Sequence, residues 1–246
     1  ERVPKILLLL AMSSLVWITG LSVCGEKPCI IPIPREMELH YGTFTVDPYT
    51  FIMVHEEPKE ADVILSRLLL DEFIDTYKQP MEMASRMRIG DNDKYFLVGV
   101  VSNPLIRVFC SQHGLLPAVK ELGDEGYILT VAEKHVVIAA NTKVGALFGL
   151  QSLRQLMKKE GGSITIPQLT IKDAPQYAFR GIKLYVPGRD NIPFFKRFVR
   201  DFVVYYKFNK IILELNANMR LDWHPELNLG AVEFATHLKY SRLGRP

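Results

Sequence analysis

The sequence predicts an α+β domain over residues 30–175, a mostly antiparallel sheet with two helices on one face, followed by a βαβ unit of the kind that builds parallel sheets and barrels. Three observations point there. Alternating or apolar runs of strand length recur between Glu38 and Ile171. Two segments of helical period, 61–77 and the stretch after Thr142, lie among them. After Asp173-Ala174-Pro175 the order becomes strand, amphipathic helix, all-apolar strand.

Taken in order, Arg2 and Lys5 precede an uncharged run from Ile6 to Val23, and Gly20 and Ser22 stand where a leader peptidase cuts. Residues 1–25 therefore read as a signal peptide or lipoprotein leader. The run is just long enough to span a membrane, but its Ser, Thr and Gly content and the adjacent Cys24 favour cleavage or lipid attachment. Leu21 to Cys24 resembles a bacterial lipobox, with Val23 departing from the small residue usual there. The expectation is an exported protein, periplasmic, secreted or held at the outer membrane, which meets a membrane only through a lipid anchor at Cys24.

Pro28 to Pro34 suits an extended lead-in. Glu38–Val46 and Thr50–Val54 flank the Asp47-Pro48 turn and predict a hairpin. Val63, Ile64, Leu68, Phe73 and Ile74 give Ala61–Tyr77 a helical stripe that Gln79-Pro80 ends. Tyr95–Val101 is a continuous apolar strand, and Tyr127–Val131 and Val136–Ala140 pair across Glu133-Lys134. Asn141 and Thr142 cap a helix striped by Ala146, Gly149, Leu150, Leu153, Leu156 and Met157, and Ile164–Ile171 is a further strand. In the βαβ unit, strand Phe179–Val186 leads to a helix with Asn191 as cap and Pro193 in its first turn. Its apolar stripe, predicted buried, is Phe195, Phe198, Val199, Phe202, Val203 and Tyr206; strand Lys210–Leu215 follows.

Composition narrows the function classes. With 48% hydrophobic and 23% charged residues the chain is globular, which excludes collagen, coiled coil and disorder. Thirty basic against 27 acidic residues is too even for nucleic acid as the default partner. Cys24, Cys29 and Cys110 show no metal-ligand spacing, and Cys110 within RVFC reads as a buried small hydrophobe. His55-Glu56 is not a zinc motif, because the second His would have to be residue 59, which is Lys59, and Pro58 breaks the helix. No P-loop, dinucleotide fingerprint or nucleophile elbow occurs, so neither cofactor nor metal is expected.

Two carboxylate pairs, Asp71-Glu72 in a helix and Asp124-Glu125 in a turn, read as structural. Gly145 and Gly149 read as close helix-to-sheet packing. The informative positions are Arg180, Glu214, Asn216 and Asn218. An Arg in an apolar strand is either an ion-pair member or a donor to substrate hydroxyls, and both readings stand. Glu214 either partners Arg180 or Lys183 or, with the Asn side chains, offers the hydrogen-bonding groups sugars use.

These segments resemble a known family. Residues 126–131 (GYILTV), 136–140 (VVIAA), 145–156 (GALFGLQSLRQL), 166–175 (IPQLTIKDAP) and Phe179-Arg180-Gly181 are similar, in this order, to the family 20 glycoside hydrolases, the β-N-acetylhexosaminidases. Residues 31–36 (IPIPRE) are similar to the start of their non-catalytic amino-terminal domain, and the likeness covers about residues 30 to 215. The resemblance implies a zincin-like accessory domain at 30–175 and, at 176–246, the start of a truncated (β/α)8 barrel. It implies a glycan substrate with terminal N-acetylhexosamine, and Arg180, Glu214 and Asn216 as substrate-binding positions.

In the family an Asp and a Glu at the end of the fourth barrel strand do the chemistry, the Glu protonating the leaving oxygen while the Asp orients the substrate's own 2-acetamido group. That pair would fall beyond Pro246, so no residue here is expected to be catalytic. Tyr185 stands where the family has Asp, and Glu214 to Asn218 replaces a His-rich strand end. About 70 residues follow Phe179, whereas eight βα units need at least ~200. The expectation is thus an inactive fragment of an exported glycosidase; the alternative is a non-catalytic glycan-binding or surface-interaction protein.

Overall fold

The computed structural model describes residues 28–214 and 222–228; the leader, Cys24, Asn216 and Asn218 lie outside them. Strands β1 (Glu36–Thr45), β2 (Phe51–His55), β3 (Glu82–Arg86), β4 (Tyr95–Val100), β5 (Tyr127–Val131), β6 (His135–Ala140), β7 (Lys158–Glu160) and β8 (Ser163–Asp173) form one sheet. Its order is β1-β8-β5-β6-β4-β2-β3, with β7 added beside β8. Helix α1 (Glu60–Asp75) crosses from β2 to β3, α2 (Pro104–Gln112) and α3 (Leu116–Glu121) lie between β4 and β5, and α4 (Lys143–Leu156) between β6 and β7.

The architecture is α+β, with three departures from the sequence expectation. First, the sheet is mixed: β1, β8, β5 and β6 are antiparallel neighbours, and β6, β4, β2 and β3 run parallel. Second, β1 and β2 form no hairpin. β1 pairs with β8, and β2 lies between β4 and β3. The Asp47-Pro48 turn is real, with the Asp47 carboxylate accepting from Tyr49 N and the Thr50 hydroxyl, yet it sends the chain across the sheet rather than back along β1.

Third, helices cover both faces. Leu65, Leu69 and Phe73 of α1 and Ala146, Leu150 and Leu153 of α4 pack with Phe44, Phe96 and Ile138. Leu105, Ile106, Phe109 and Cys110 of α2 and Val119 of α3 pack on the opposite face with Met53, Leu97 and Val137. Phe96 and Val98 face one layer while Tyr95 and Leu97 face the other, which is why β4 reads as an unbroken apolar run. Helix α2 carries a start signal in Asn103-Pro104: the Asn103 side chain accepts from Leu105 N, and Pro104 needs no partner for a missing N–H.

Helix α4 sits close on the sheet because of its glycines. A Cβ at Gly149 would lie 2.5 Å from Ile138 Cγ2, and one at Gly145 would meet the Gly126 carbonyl. Thr142 caps α4, its hydroxyl accepting from Val144 N and Gly145 N. Asn141 has a different task, donating its amide to the Val119 and Gly123 carbonyls that end α3.

Beyond β8, β9 (Gly181–Tyr185) and β10 (Lys210–Glu214) form a two-stranded parallel sheet, in register from Gly181 opposite Lys210 to Tyr185 opposite Glu214. The connecting helix α5 (Ile192–Phe198) continues in a π-helical turn over Val199–Val204. The stripe is only partly covered: Val203 is buried, Phe195, Phe198, Val199 and Tyr206 are half-buried, and Phe202 is exposed. Asn191 precedes α5, but its side chain makes no capping bond.

Candidate functional site

The βαβ unit meets the sheet unit along a polar seam. Arg180, just ahead of β9, donates from Nη1 to Glu125 Oε2 at 2.8 Å and to the Tyr177 carbonyl at 2.8 Å, and from Nε to the Lys207 carbonyl at 2.9 Å. Its guanidinium lies 5.1 Å from the centre of the Phe148 ring. Nη2 is buried without a hydrogen-bond partner among the described residues. Asn209 closes the same corner: its amide donates to Glu125 Oε1 at 3.0 Å, and its oxygen accepts from Arg180 N at 3.0 Å. Burial pushes the Glu125 carboxyl up, but the Asn209 and Arg180 hydrogen bonds and the charges of Arg180 and Lys210 outweigh it, holding the group below its ordinary value.

A second, deeper knot lies beside it. Lys207 Nζ donates to Asp173 Oδ2 at 3.1 Å and to the Tyr127 hydroxyl at 2.9 Å. Tyr127 passes its own proton toward Asp173 Oδ2 at 2.8 Å, which leaves the Ser152 hydroxyl, 2.6 Å away, to donate to Tyr127. The Lys207 and Asp173 side chains are only 6% and 12% exposed. Burial lowers the Lys207 ammonium from its usual range, more than the neighbouring Asp173 charge restores. Burial and that same carboxylate raise the Tyr127 phenol well above its ordinary value.

Glu125, Tyr127, Asp173, Arg180 and Lys207 border a cleft of about 550 Å³, walled also by Pro32, Arg35, Pro175 and Tyr177. Across β9 and β10 the other end is different. Glu214 forms an ion pair with Lys183, whose Nζ lies 5.8 Å from the Tyr185 ring centre. Arg180 precedes β9, whereas Glu214 is level with Tyr185 at the strand ends, so they stand roughly 16 Å apart along the strand direction at ~3.3 Å per residue. The structure does not bring the two predicted site residues together. Arg180 lies at the amino end of β9 as an ion-pair member, its acidic partner Glu125 rather than Glu214. Of these two residues it is Glu214 that lies at the carboxyl end, where parallel α/β folds place their chemistry. Asn216 lies outside the described residues.

Lys207, Asp173 and Asn209 were not read from the sequence as site residues. Asp173 is visible there only as part of a boundary tripeptide, and Lys207 looks like a solvated lysine at a helix end. One member of each carboxylate pair is held in an ion pair, Glu72 with Arg154 and Glu125 with Arg180. The seam offers hydrogen-bond donors and a bound carboxylate but no nucleophile beside a base.

Comparison with known proteins places this fold among glycoside hydrolases. Residues 27–174, more than half of the chain, match the model of glycosyl hydrolase family 20, domain 2, and the chain belongs to that family. It is similar to the β-hexosaminidase β subunit of Rattus norvegicus, 28% identical over 85% of this chain and 38% of that one. A β-hexosaminidase of Akkermansia muciniphila is 38% identical over 41% of this chain and 20% of that one. Among solved structures, the N-acetyl-β-hexosaminidase of Streptomyces plicatus shares the fold with a TM-score of 0.57 at 24% identity, over 76% of this chain and 34% of that one. The chain thus spans less than two fifths of these relatives' lengths.

Proposed function

We propose that this chain is the amino-terminal part of an exported β-N-acetylhexosaminidase, whose whole length hydrolyses terminal N-acetylhexosamine residues from glycans by substrate-assisted retaining catalysis. Residues 30–175 are its accessory domain, and 176–246 open a (β/α)8 barrel. One observation carries the barrel reading: Ile211, Ile212 and Leu213 of β10 are 39%, 53% and 50% exposed, so both faces of a parallel strand are left open to water. Parallel sheets are stable when covered on both faces, and a two-stranded one is marginal alone. The half-covered stripe of α5 fits the same account.

In this reading the acidic catalytic pair is supplied by later barrel strands and not by any residue here. Glu214, at the carboxyl end of β10, accepts hydrogen bonds from sugar hydroxyls once a substrate competes with Lys183, and Asn216 adds an amide on the same strand's continuation. Arg180, at the opposite strand end with its one unengaged nitrogen, Nη2, buried, serves the seam in this reading rather than the sugar that Glu214 meets. The leader at 1–25 directs export, with cleavage or lipid attachment at Cys24. The reading is supported by the family membership and by hexosaminidase relatives in animals and bacteria.

The test is hydrolysis of an aryl N-acetylglucosaminide by this chain and by a version extended with the downstream reading frame. Activity is expected only in the extended protein. Activity in the 246-residue chain, abolished by Arg180→Ala, would overturn the assignment. A second reading, a non-catalytic glycan-binding protein, is favoured by the buried seam, which already fastens the βαβ unit to the sheet. It gains if the full 246-residue chain resists limited proteolysis and binds chitooligosaccharide without cleaving it.

A further inference from the structure

We infer that Lys207 is a positioning residue: its buried ion pair with Asp173 docks β9 and β10 on the eight-stranded sheet and thereby sets where Lys183, Tyr185 and Glu214 stand. The functional half of this statement rests on the reading of the β10 carboxyl end as the sugar side; the docking half does not.

The backbone is the first indication. Lys207 has φ +61°, the left-handed conformation that ends a helix and that glycine or asparagine normally supplies. A lysine there carries a steric cost that glycine would avoid. What the lysine adds is reach. Nζ contacts Asp173 at the end of β8 and Tyr127 of β5, and Tyr127 is held in turn by Ser152 of α4, so one side chain touches a knot drawn from three elements of the sheet unit. The Lys207 carbonyl meanwhile accepts from Arg180 Nε, which ties the start of β9 to the same residue.

The second indication is how the seam is built. Of the apolar stripe that begins in α5 only Val203 is fully buried, the rest being half-buried apart from the exposed Phe202, so hydrophobic burial orients the βαβ unit only in part. Directional contacts complete the orientation: Lys207 with Asp173, and both Arg180 and Asn209 with Glu125. A buried ion pair adds little net stability over an apolar substitute of the same shape; its attested use is to select one geometry among several. Groups facing Lys207 are Asp173, Tyr127 and Arg180, of which only Asp173 carries a compensating negative charge. A further seam contact, the Tyr205 carbonyl accepting from Gln155, does not pass through Lys207.

The test is amide hydrogen exchange on the 246-residue chain and on its Lys207→Met and Lys207→Gly variants. Both should speed exchange in β9 and β10 at least ten-fold and leave β4, β5 and β6 unchanged. The glycine variant relieves the left-handed backbone, so a loss of protection there as well assigns the effect to the ammonium rather than to strain. Unchanged protection of β9 and β10 in both variants, or equal loss across β4 to β6, overturns the docking role. In the extended protein Lys207→Met should raise KM for an aryl N-acetylglucosaminide at least five-fold, which a smaller folded fraction would not do; an unchanged KM overturns the positioning role. If the extended wild type hydrolyses nothing, the glycosidase reading fails while the exchange data still decide the docking.

Discussion

Glu72 of α1 and Arg154 of α4 meet at 2.7 Å, and the same guanidinium lies 5.1 Å from the ring centre of Tyr205 just beyond α5. One side chain therefore joins both helices on this face of the sheet to the βαβ unit. Its position, three residues from Gln151 on α4, also lets it donate to the Gln151 amide oxygen at 2.8 Å.

Replacing Arg154 with Leu should destabilise the chain by about 1.5–3 kcal/mol, between the values for exposed and for buried pairs, since both partners are mostly shielded and Glu72 is left uncompensated. Arg154→Lys should recover less than half, because an ammonium cannot present the planar fork or stack on Tyr205 in the same way. Urea unfolding followed by circular dichroism measures both. Equal stability of Arg154→Leu and wild type would show the bridge to be idle.

Gly149→Ala should cost about 1–3 kcal/mol despite alanine's better helix propensity, since its methyl would press on Ile138 at 2.5 Å and Tyr127 at 3.1 Å. Gly145→Ala should cost at least as much, because the obstacle is the backbone carbonyl of Gly126 and cannot rotate away. Gly188→Ala is the control: nothing lies within 4 Å of its added carbon, so a change within about 0.5 kcal/mol is expected. Thermal melts of the three variants would expose any error in the ranking.

Acid should weaken the fold through His135. Its ring is stacked beside Tyr95 and edge-on to Phe109, and burial, followed by the charge of His113, pushes its pKa from 6.5 down to about 4. The folded value lies below the unfolded one, so this stability is present above pH 6.5. It is lost as pH falls from 6.5 toward 4, where the unfolded chain binds a proton the folded chain does not. The loss is at most about 3.4 kcal/mol, at 1.36 kcal/mol per pKa unit over the roughly 2.5 units, and levels off below that window. His135→Gln should flatten the stability profile there. An unaltered slope in that variant would assign the effect to other groups.

Thiol labelling should separate two cysteines. Cys29 is exposed, whereas Cys110 is buried in α2 with burial pushing its thiol up to about 11. In a Cys24→Ser background, maleimide at pH 7 should modify one thiol in native buffer and a second only on unfolding. Fast double labelling of the native chain would contradict the packing of α2 on the sheet.

Much of the fold is legible in the sequence wherever local pattern decides. The pattern of 61–77 yields α1 within two residues at each end, but of the stripe read there only Phe73 is buried, since Ile64, Leu68 and Ile74 are exposed and Leu65 and Leu69 take the covered face. The β5–β6 pair follows from two apolar runs joined by a tight polar turn. Gly145 and Gly149 announce close packing of α4 before any contact is seen. Elements with weak local signals are not found this way. β3, with sequence EMASR, is a strand only because β2 offers it an edge. Helix α2 does carry its signal, Asn103-Pro104, and could have been read from it.

What the sequence determined by itself is local: which segments are helix or strand, where turns and caps fall, and which family the order of segments resembles. Tertiary structure decided the partners. β1 leaves β2 for β8, more than a hundred residues away, because an edge strand pairs with whatever surface the collapsed core presents to it. Arg180 turns to Glu125 and Lys207 to Asp173 for the same reason: a charge taken out of water must find its counterion within a few ångströms, and only the folded chain sets which carboxylate is that near.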